Sequence, residues 1–439
     1  MSGLKILICL FALITWGCSK DSDSSRSFSS IKLLDTSTDY LARTILTLPD
    51  GSVFMGCVGQ EDEGNPGNYG TRPSLLAKYD GQSALEWVIE LPPEVYVLWK
   101  CISLSNGHIL AVGYDNERNS QMVGAVILDS EGTVLHTTSF FNQLSTSSSD
   151  GPRSTVDAIQ IQDGRIILVI PNRITENGNA VLRVVSLDDQ LFALEDINYE
   201  NLDDLENRGM RQFSIEQDSN GDLLIAGTMI RTVGSENPFM GIIKLSSSLD
   251  VISSRAITSL SIPFPGPFEG NSRGEIASNI ALDPIGYPVF VSSLRNPNDS
   301  LYEPLFNLRD QEFFMRAPQF ELWNVNSNEV EAPIKQISGY PSNAIIQKLR
   351  STSDGGYIMV GTCGVNDNQG IPSNYQLLIV KVDPSLNLQW LSFPRMQYAT
   401  LGADIIESGG GYLVTGSQRF LGQTNKPFFL RINQSGIIE

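Results

Sequence analysis

The chain has 439 residues, of which 41% are hydrophobic, and this length suits either two or three small domains or one large all-β ring. It carries 49 acidic against 30 basic residues, a formal net charge of -19, so its surface repels phosphate backbones and nucleic acid is excluded as a partner. Only two histidines occur, His108 and His136, which excludes a histidine-rich metal site and leaves little material for histidine-dependent catalysis.

The first 17 residues read as an export signal. One lysine precedes an apolar run from Ile6 to Trp16, which is too short to span a bilayer comfortably and fits a signal-peptide core. Gly17 stands directly before Cys18, and this ending resembles the bacterial lipobox, although Thr15 stands where leucine is usual. The resemblance implies removal of residues 1–17 and diacylation (palmitate) at the Cys18 thiol. The alternative is an ordinary secretory signal with an incidental cysteine.

Residues 18–30 are rich in serine and aspartate and predict a flexible tether. Lys20 and Asp21, just after Cys18, resemble the surface-export signal of lipoproteins from Bacteroidota. The resemblance implies a protein held at the outer membrane by its lipid, in the periplasm or at the cell surface. A solvated linker has the same composition, so the side of the membrane stays open.

From residue 31 onward the chain repeats one short figure, a tight turn followed by an apolar strand. Asp-Gly or Asn-Gly ahead of an apolar run indicates a hairpin, because both residues tolerate the positive φ of a tight turn. Each unit is preceded by a short strand and followed by a second hairpin, so each repeat predicts about four strands. The seven units are residues 48–56, 105–113, 162–170, 219–227, 284–292, 353–361 and 408–416.

Four-stranded repeats of this length are typical of β-propellers. Turns such as Asp354-Gly355-Gly356-Tyr357 resemble the Asp-Gly-Gly-Tyr-type propeller repeats of exported bacterial proteins, and the resemblance covers residues 31–439. It implies an all-β fold, a seven-bladed propeller with four-stranded blades. The last repeat stops as its fourth strand begins, whereas residues 31–34 have no hairpin partner. We therefore expect this N-terminal strand to complete the seventh blade and close the ring.

Antiparallel strands place alternate loops on the same face of such a ring. The turns within hairpins are short and share one face, the turn face. The connections between hairpins and between repeats are long and share the other, the long-connection face. Long loops on a rigid scaffold commonly carry function, so this second face is predicted to bind a partner. Its candidate residues are Asp62, Tyr69, Tyr96, Trp99, Phe264, Phe268, Asp299, Tyr302 and Tyr398.

No nucleophile elbow, zinc-protease motif, P-loop or dinucleotide fingerprint occurs, so no catalytic residue, metal or cofactor is predicted. The leading hypothesis is a non-enzymatic binding or scaffold lipoprotein that presents the long-connection face to an envelope protein or a glycan. One alternative is a glycan-active hydrolase or lyase, with loop carboxylates such as Asp62 and Asp299 near the central pore. Another is a scaffold in envelope assembly. Cys57 and Cys101 either pair between neighbouring repeats or remain buried thiols.

Overall fold

The computed structural model describes residues 31–36, 39–59, 72–115, 122–141, 156–172, 181–199, 202, 208–231, 239–257, 276–282, 288–293, 320–324, 335–337, 344–366, 372–396, 398–419 and 425–439. The export segment and Cys18 lie outside these ranges, so lipid attachment and the address stay predictions. Within the ranges, no helix has the length and apolarity needed to cross a membrane.

Short antiparallel strands make up nearly all of the regular structure, with one 3-10 turn among the described residues at Pro93–Val95. In chain order the strands are β1 (Ile31–Leu33), β2 (Tyr40–Thr47), β3 (Val53–Gly59), β4 (Leu75–Tyr79), β5 (Leu85–Glu90), β6 (Val97–Ser103), β7 (Ile109–Tyr114), β8 (Met122–Leu128), β9 (Val134–Phe141), β10 (Asp157–Gln160), β11 (Ile166–Asn172), β12 (Val181–Leu187), β13 (Ala193–Tyr199), β14 (Arg208–Gln217), β15 (Leu223–Arg231), β16 (Phe239–Leu245), β17 (Val251–Ile257), β18 (Ile276–Leu282), β19 (Pro288–Ser293), β20 (Phe320–Asn324), β21 (Lys335–Ile337), β22 (Ala344–Ser351), β23 (Tyr357–Asn366), β24 (Pro372–Val382), β25 (Leu388–Ser392), β26 (Ala399–Ser408), β27 (Gly411–Arg419) and β28 (Asn425–Asn433).

The described strands assemble into seven four-stranded antiparallel sheets, which we call blades. Blades 1 to 6 are β2–β5, β6–β9, β10–β13, β14–β17, β18–β21 and β22–β25, and blade 7 joins β26, β27 and β28 to β1. The first strand of each blade contacts the first strand of the next, from β2 round to β26 and back to β2. These strands therefore form an inner ring around a central channel. The prediction of an all-β propeller with four-stranded blades is confirmed.

Apolar side chains fill the space between neighbouring blades, because the inner strands bury both of their faces. Every residue of β7 is buried, which explains why its sequence is a continuous apolar run rather than an alternating one. In β3, Met55 packs toward blade 7 while Phe54 packs toward blade 2. Burying one such side chain contributes about 1.5–3 kcal/mol, so the blade-to-blade contacts stabilise the ring.

The N-terminal strand completes blade 7, as the repeat pattern predicts. Ile31 of β1 lies opposite Leu430 of β28 in an antiparallel ladder. Farther along the same edge, Ile438 bridges Ile432, so residues 437–439 extend the cover that β1 provides. Both segments occupy the outer edge of β28, which would otherwise offer unpaired backbone groups to other chains.

The Asp-Gly turns have the predicted conformation and lie on the turn face. In the turn of blade 6, Gly355 has a φ of 78° and its N–H donates to the Thr352 carbonyl at 2.9 Å. Asp354 Oδ1 accepts a hydrogen bond from the Gly356 N–H at 2.9 Å, and its Oδ2 lies 2.9 Å from Lys381 Nζ. The turn aspartate is thereby tied to the third strand of its own blade.

Cys57 and Cys101 do not pair in this structure. Both thiols are free and buried, and burial raises the pKa of each well above its usual range. Cys57 packs with side chains between blades 7 and 1, whereas Cys101 packs between blades 1 and 2 and approaches Gly56. The sheet of blade 1 therefore separates them, which favours the interpretation as plain core thiols.

Candidate functional site in the central channel

A polar residue recurs at one position of the inner strands. Thr44, Lys100, Asp157, Ser214 and Lys348 each stand seven residues before the positive-φ glycine of the following turn. Asp404 has the corresponding place in β26, directly after a break in the ladder between Gly402 and Asp404. The same break precedes the polar residue in β2, β6 and β22. A bulge of this kind leaves one residue unpaired and re-aims its neighbours, so polar side chains are tolerated within apolar strands.

The charged members of this set meet in the channel with Glu216 and Arg350, each of which stands two residues farther along its strand. The charge of Lys100 in blade 2 lowers the pKa of Lys348 in blade 6, although these blades are not neighbours in the ring. The charges of Lys100 and Arg350 likewise act on the carboxyl group of Glu216 in blade 4. Only a position near the ring axis lets side chains of such distant blades interact. The set comprises Lys100, Asp157, Glu216, Lys348, Arg350 and Asp404, and we call it the channel cluster.

Asp157 connects three consecutive blades. Its carboxylate forms an ion pair with Lys100 of blade 2 and accepts the N–H of Ala158 in its own strand at 2.8 Å. Its second oxygen accepts the N–H of Ile215 in blade 4 at 3.1 Å. The carboxylate is only 5% exposed, so this charge is held by paired groups rather than by water.

Asp404 repeats this arrangement on the opposite side of the ring. Arg350 of blade 6 donates two hydrogen bonds to Asp404 Oδ1 and one to Oδ2, at 2.9–3.0 Å. Oδ2 also accepts the N–H of Ile45 in blade 1 at 3.3 Å, and Oδ1 accepts the N–H of Ile405 at 2.8 Å. Burial alone would raise the pKa of Asp404, but the charges of Arg350 and Lys348 outweigh it and hold that pKa below its usual range.

These two aspartates satisfy backbone groups at the inner edge of the ring. The first strand of each blade has no ladder partner on the channel side, so its N–H groups there need other acceptors. Asp157 and Asp404 each supply one acceptor to the next blade. They hold blades together, and with Lys100 and Arg350 already engaged, both ion pairs have a structural role.

Glu216 and Lys348 are the two members without such partners. No other described residue forms a hydrogen bond or an ion pair with either functional group. Burial, helped by the Asp157 charge, raises the pKa of Glu216 against the opposing charges of Lys100, Arg350 and Lys348. Burial, together with the charges of Arg350 and Lys100, lowers the pKa of Lys348 to about 8. Arg350 keeps 31% of its side chain exposed, so solvent reaches the channel beside both groups.

Three of the residues predicted for the long-connection face are described. Tyr96 is buried at 8% exposure, which differs from the expected exposed aromatic, because it belongs to a core cluster formed by side chains of blades 1, 2 and 3. Trp99 lies in β6 and is half-buried, with the guanidinium carbon of Arg43 4.6 Å from its ring centroid. Tyr398 is half-buried just before β26, and its carbonyl accepts the Thr400 hydroxyl at 2.7 Å.

Asp62, Tyr69, Phe264, Phe268, Asp299 and Tyr302 lie outside the described residues. The proposed carboxylate pair of Asp62 and Asp299 therefore stays a prediction. Within the described ranges, no group of three or more histidine, cysteine, aspartate or glutamate side chains is arranged to hold a metal ion.

Sequence reasoning missed the channel cluster, although a signal existed. Aligning the seven units on their turn glycines places Thr44, Lys100, Asp157, Ser214 and Lys348 in one column of otherwise apolar strands. A polar column inside buried strands indicates either a shared polar interior or a binding channel. The binding site was predicted on the loops instead, because acidic and aromatic residues are easier to recognise there.

Comparison with known proteins finds similarity to solved structures only. No family model matches the chain, and no curated protein matches it. Among solved structures, the polysaccharide lyase Uly1 shares 10% identity at a TM-score of 0.49, covering 89% of this chain and 90% of that one. A protein of unknown function from Dyadobacter fermentans shares 8% at 0.46, covering 92% and 98%. An α-L-arabinanase from Penicillium chrysogenum shares 12% at 0.43, covering 78% and 96%.

Proposed function

We propose that this chain is an exported, lipid-anchored seven-bladed propeller that binds a saccharide in its central channel. The observation that carries the proposal is the pair Glu216 and Lys348, which are half-buried in the channel and form no hydrogen bond or ion pair with the other described residues. Both groups are therefore available to hydrogen-bond with a ligand in the channel. The long connections on one face would border the channel entrance and give the ligand further contacts.

The chemistry of the channel suits a ligand rich in hydroxyl groups. The Lys348 ammonium and the partly exposed Arg350 guanidinium supply donors, and the Glu216 carboxyl group supplies acceptors. A chain of net charge -19 disfavours large polyanions, which argues against nucleic acid. A saccharide presents closely spaced donors and acceptors and is the ligand class that fits this mixture best.

The proposal is tested by titrating purified protein with a panel of envelope and plant glycans, using calorimetry. We expect binding by at least one glycan and its loss in the double variant Glu216→Gln with Lys348→Met. The matched control is Lys426→Met, because Lys426 pairs with the exposed Asp35 at the surface. Unchanged glycan binding in the double variant would show that the ligand lies elsewhere, and the channel proposal would fail.

A second candidate function is catalysis on the same glycan. Burial raises the pKa of Glu216, and the pKa of Lys348 falls to about 8, so both groups move toward neutral pH. Groups with pKa values near the working pH are suited to proton transfer, as hydrolases and lyases need. This observation favours the enzymatic alternative over a pure scaffold in envelope assembly.

The two functions are separated by product analysis. An enzyme would release new reducing ends, with an unsaturated sugar in the case of a lyase, and Glu216→Gln would stop turnover while glycan binding remains. A binding protein would leave the glycan intact at equimolar concentration over a day. Product formation at the wild-type rate by Glu216→Gln would exclude an acid role for this residue.

Attachment to the membrane is a separate part of the proposal and rests on the sequence Gly17-Cys18 at the end of an apolar core. We propose that the lipid on Cys18 and the tether of residues 18–30 hold the propeller at the outer membrane. Replacing Cys18 by Ser should move the protein to the soluble fraction of the producing cell. A Cys18→Ser protein that still sediments with membranes would contradict the lipid anchor.

A further inference from the structure

Exposed apolar side chains recur at one place in six of the blades. In each blade a turn on the turn face joins the third strand to the outermost segment, and the residues just after that turn begin this segment. A large apolar side chain with 41–66% of its surface exposed stands there. The six residues, which we call the apolar rim, are Leu85, Val134, Phe192, Val251, Leu388 and Ile437.

The apolar rim follows the circumference of the turn face. Its members belong to blades 1, 2, 3, 4, 6 and 7, so they lie in different directions from the ring axis. A single exposed apolar side chain is ordinary, but the same position repeated around a ring forms an extended pattern. A compact partner would cover two or three neighbouring members, whereas a flat surface would contact all six at once.

The first strand of the propeller shows which face lies next to the N-terminal segment. β28 runs toward the turn face, since the turn at 433–436 follows it. β1 pairs with β28 in the antiparallel sense, with Ile31 opposite Leu430 and Leu33 opposite Phe428. β1 therefore runs away from the turn face, and the chain enters it at the turn-face end. The predicted tether of residues 18–30 joins the propeller on the side that carries the apolar rim.

The length of the tether favours this face as the one next to a membrane. A flexible segment of 13 residues spans about 20 Å on average. Laying the long-connection face on the membrane would require the tether to run the height of blade 7 as well. The nine residues of β28 alone measure about 30 Å at roughly 3.3 Å per residue. A lipid at Cys18 therefore holds the turn face closer to the bilayer than the opposite face.

The charge of the turn face indicates the kind of lipid surface that fits it. Its described turns hold no exposed lysine or arginine, and the acids exposed there are Asp50, Glu131, Asp163, Asp189, Asp250 and Asp354. Cations of the protein pair with three of them, and the face as a whole keeps an excess of negative charge. Such a face repels anionic headgroups and a second copy of itself, and it favours headgroups that present an ammonium.

We propose that the turn face rests on a lipid surface whose zwitterionic headgroups carry an amine, with the apolar rim in contact with the bilayer boundary. The long-connection face and the entrance of the channel then point away from the membrane. The tether argument rests on the proposed lipid anchor, whereas the apolar rim and the acidic turns do not depend on it. The contact would supply a second attachment beside the lipid, as stable anchoring requires.

Orientation is tested with fluorescent labels on the lipidated full chain in vesicles of phosphatidylethanolamine and phosphatidylcholine that contain a quencher-bearing lipid. Leu85→Cys and Glu90→Cys place a label at the two ends of β5, and both positions are exposed. Cys57, Cys101 and Cys363 are buried, so labelling is selective. We expect the label at position 85 to be quenched at least threefold more than the label at position 90. Equal quenching, or stronger quenching at position 90, would overturn the orientation.

The apolar rim is tested separately on the unlipidated mature chain, residues 18–439, by sedimentation with the same vesicles. Phe192→Ser combined with Ile437→Ser should weaken binding about tenfold or more, because two apolar contacts are lost. Val88→Ser is the matched control, since Val88 is 39% exposed but lies in the middle of β5. Replacing phosphatidylethanolamine by phosphatidylglycerol should also weaken binding.

The contrary outcomes are distinct. Equal effects of the rim variant and Val88→Ser, or stronger binding to phosphatidylglycerol, would remove the lipid contact. A dimer that the rim variant abolishes, seen by light scattering, would assign the surface to a second copy instead. Glycan binding together with stronger quenching at position 90 leaves the proposed channel function standing and overturns this inference. Quenching at position 85 without binding of any glycan does the reverse.

Discussion

Some charged side chains of this protein lie in its interior. Lys381 is 2% exposed, yet its ammonium donates to Thr352 Oγ1 and Asp354 Oδ1 at 3.0 Å and to the Val382 carbonyl at 3.2 Å. Asp354 is 51% exposed and meets it from the turn. The aspartate of the repeated Asp-Gly-Gly-Tyr figure therefore has two tasks, since it shapes the turn and neutralises a buried lysine.

The two partners of this pair should respond differently to replacement. Asp354→Ala leaves the buried ammonium without its counter-ion and should lower the free energy of unfolding by about 3 kcal/mol. Lys381→Met keeps the apolar volume, and the released Asp354 can hydrate, so its cost should stay within about 1 kcal/mol. Urea denaturation at pH 7 measures both. A larger loss in Lys381→Met than in Asp354→Ala would contradict this account.

The same pair makes part of the stability depend on pH. Burial would raise the pKa of Asp354, but hydrogen bonds from Thr352, Lys381 and the Gly356 N–H lower it to about 2. The folded pKa lies below the unfolded value near 3.9, so the contribution is complete above about pH 4 and is lost as pH falls toward 2. The stability difference between wild type and Asp354→Ala should shrink over that range.

At the scale of elements, glycines let strands and turns approach closer than any side chain permits. Gly124 of β8 packs beneath the 3-10 turn Pro93–Val95, and a Cβ there would lie 1.7 Å from the Glu94 carbonyl oxygen. Gly113 of β7 is met in the same way by the Val97 carbonyl oxygen, at 2.1 Å. These contacts explain the glycines within apolar runs, where glycine otherwise weakens a strand.

Replacing Gly124 by Ala should destabilise the protein by about 3 kcal/mol, because the backbone of the turn must shift to admit the methyl group. Gly107→Ala is the matched control: its φ is 84° but nothing lies within 4 Å of the new Cβ, so its cost should be about 1 kcal/mol. Thermal unfolding followed by circular dichroism compares the two. Equal costs would show that backbone conformation rather than contact sets the requirement at Gly124.

The whole molecule depends on a closing strand from the other end of the chain. β1 pairs with β28, and Leu34 just beyond it is buried at 2% exposure with its N–H donating to the Pro427 carbonyl at 2.9 Å. The first residues of the propeller thus hold its last blade. A hydrogen bond also joins the last and first blades inside the ring, where Asp404 of blade 7 accepts the Ile45 N–H of blade 1.

A chain that starts at residue 35 should therefore lose more stability than one that starts at residue 31. The shorter chain exposes the edge of β28 and the pocket of Leu34, a loss of at least about 2 kcal/mol from that side chain alone. We expect a lower melting temperature and concentration-dependent aggregation in the shorter chain, measured by calorimetry and light scattering. Equal melting temperatures would mean that β1 does not close the ring.

Particular residues show how far the sequence predicted this protein. The Asp-Gly turns, the four strands of each repeat and the closing strand follow from local rules, because tight turns need glycine and buried strands need apolar runs. The channel cluster was missed: Asp157 and Lys348 share one column of the repeats, but the column does not say what its residues contact. Tyr96 was expected to be exposed and is buried, because neighbouring blades cover it.

The sequence by itself determined the repeat, the strand order and the export signal as an expectation, since each depends on residues close together in the chain. Only the tertiary structure decided which charges neutralise one another. Asp157 pairs with Lys100 and Asp404 with Arg350 across blade boundaries, at sequence separations of 57 and 54 residues. Ring closure sets those distances, so no local pattern reveals that Lys348 forms no ion pair with another described residue.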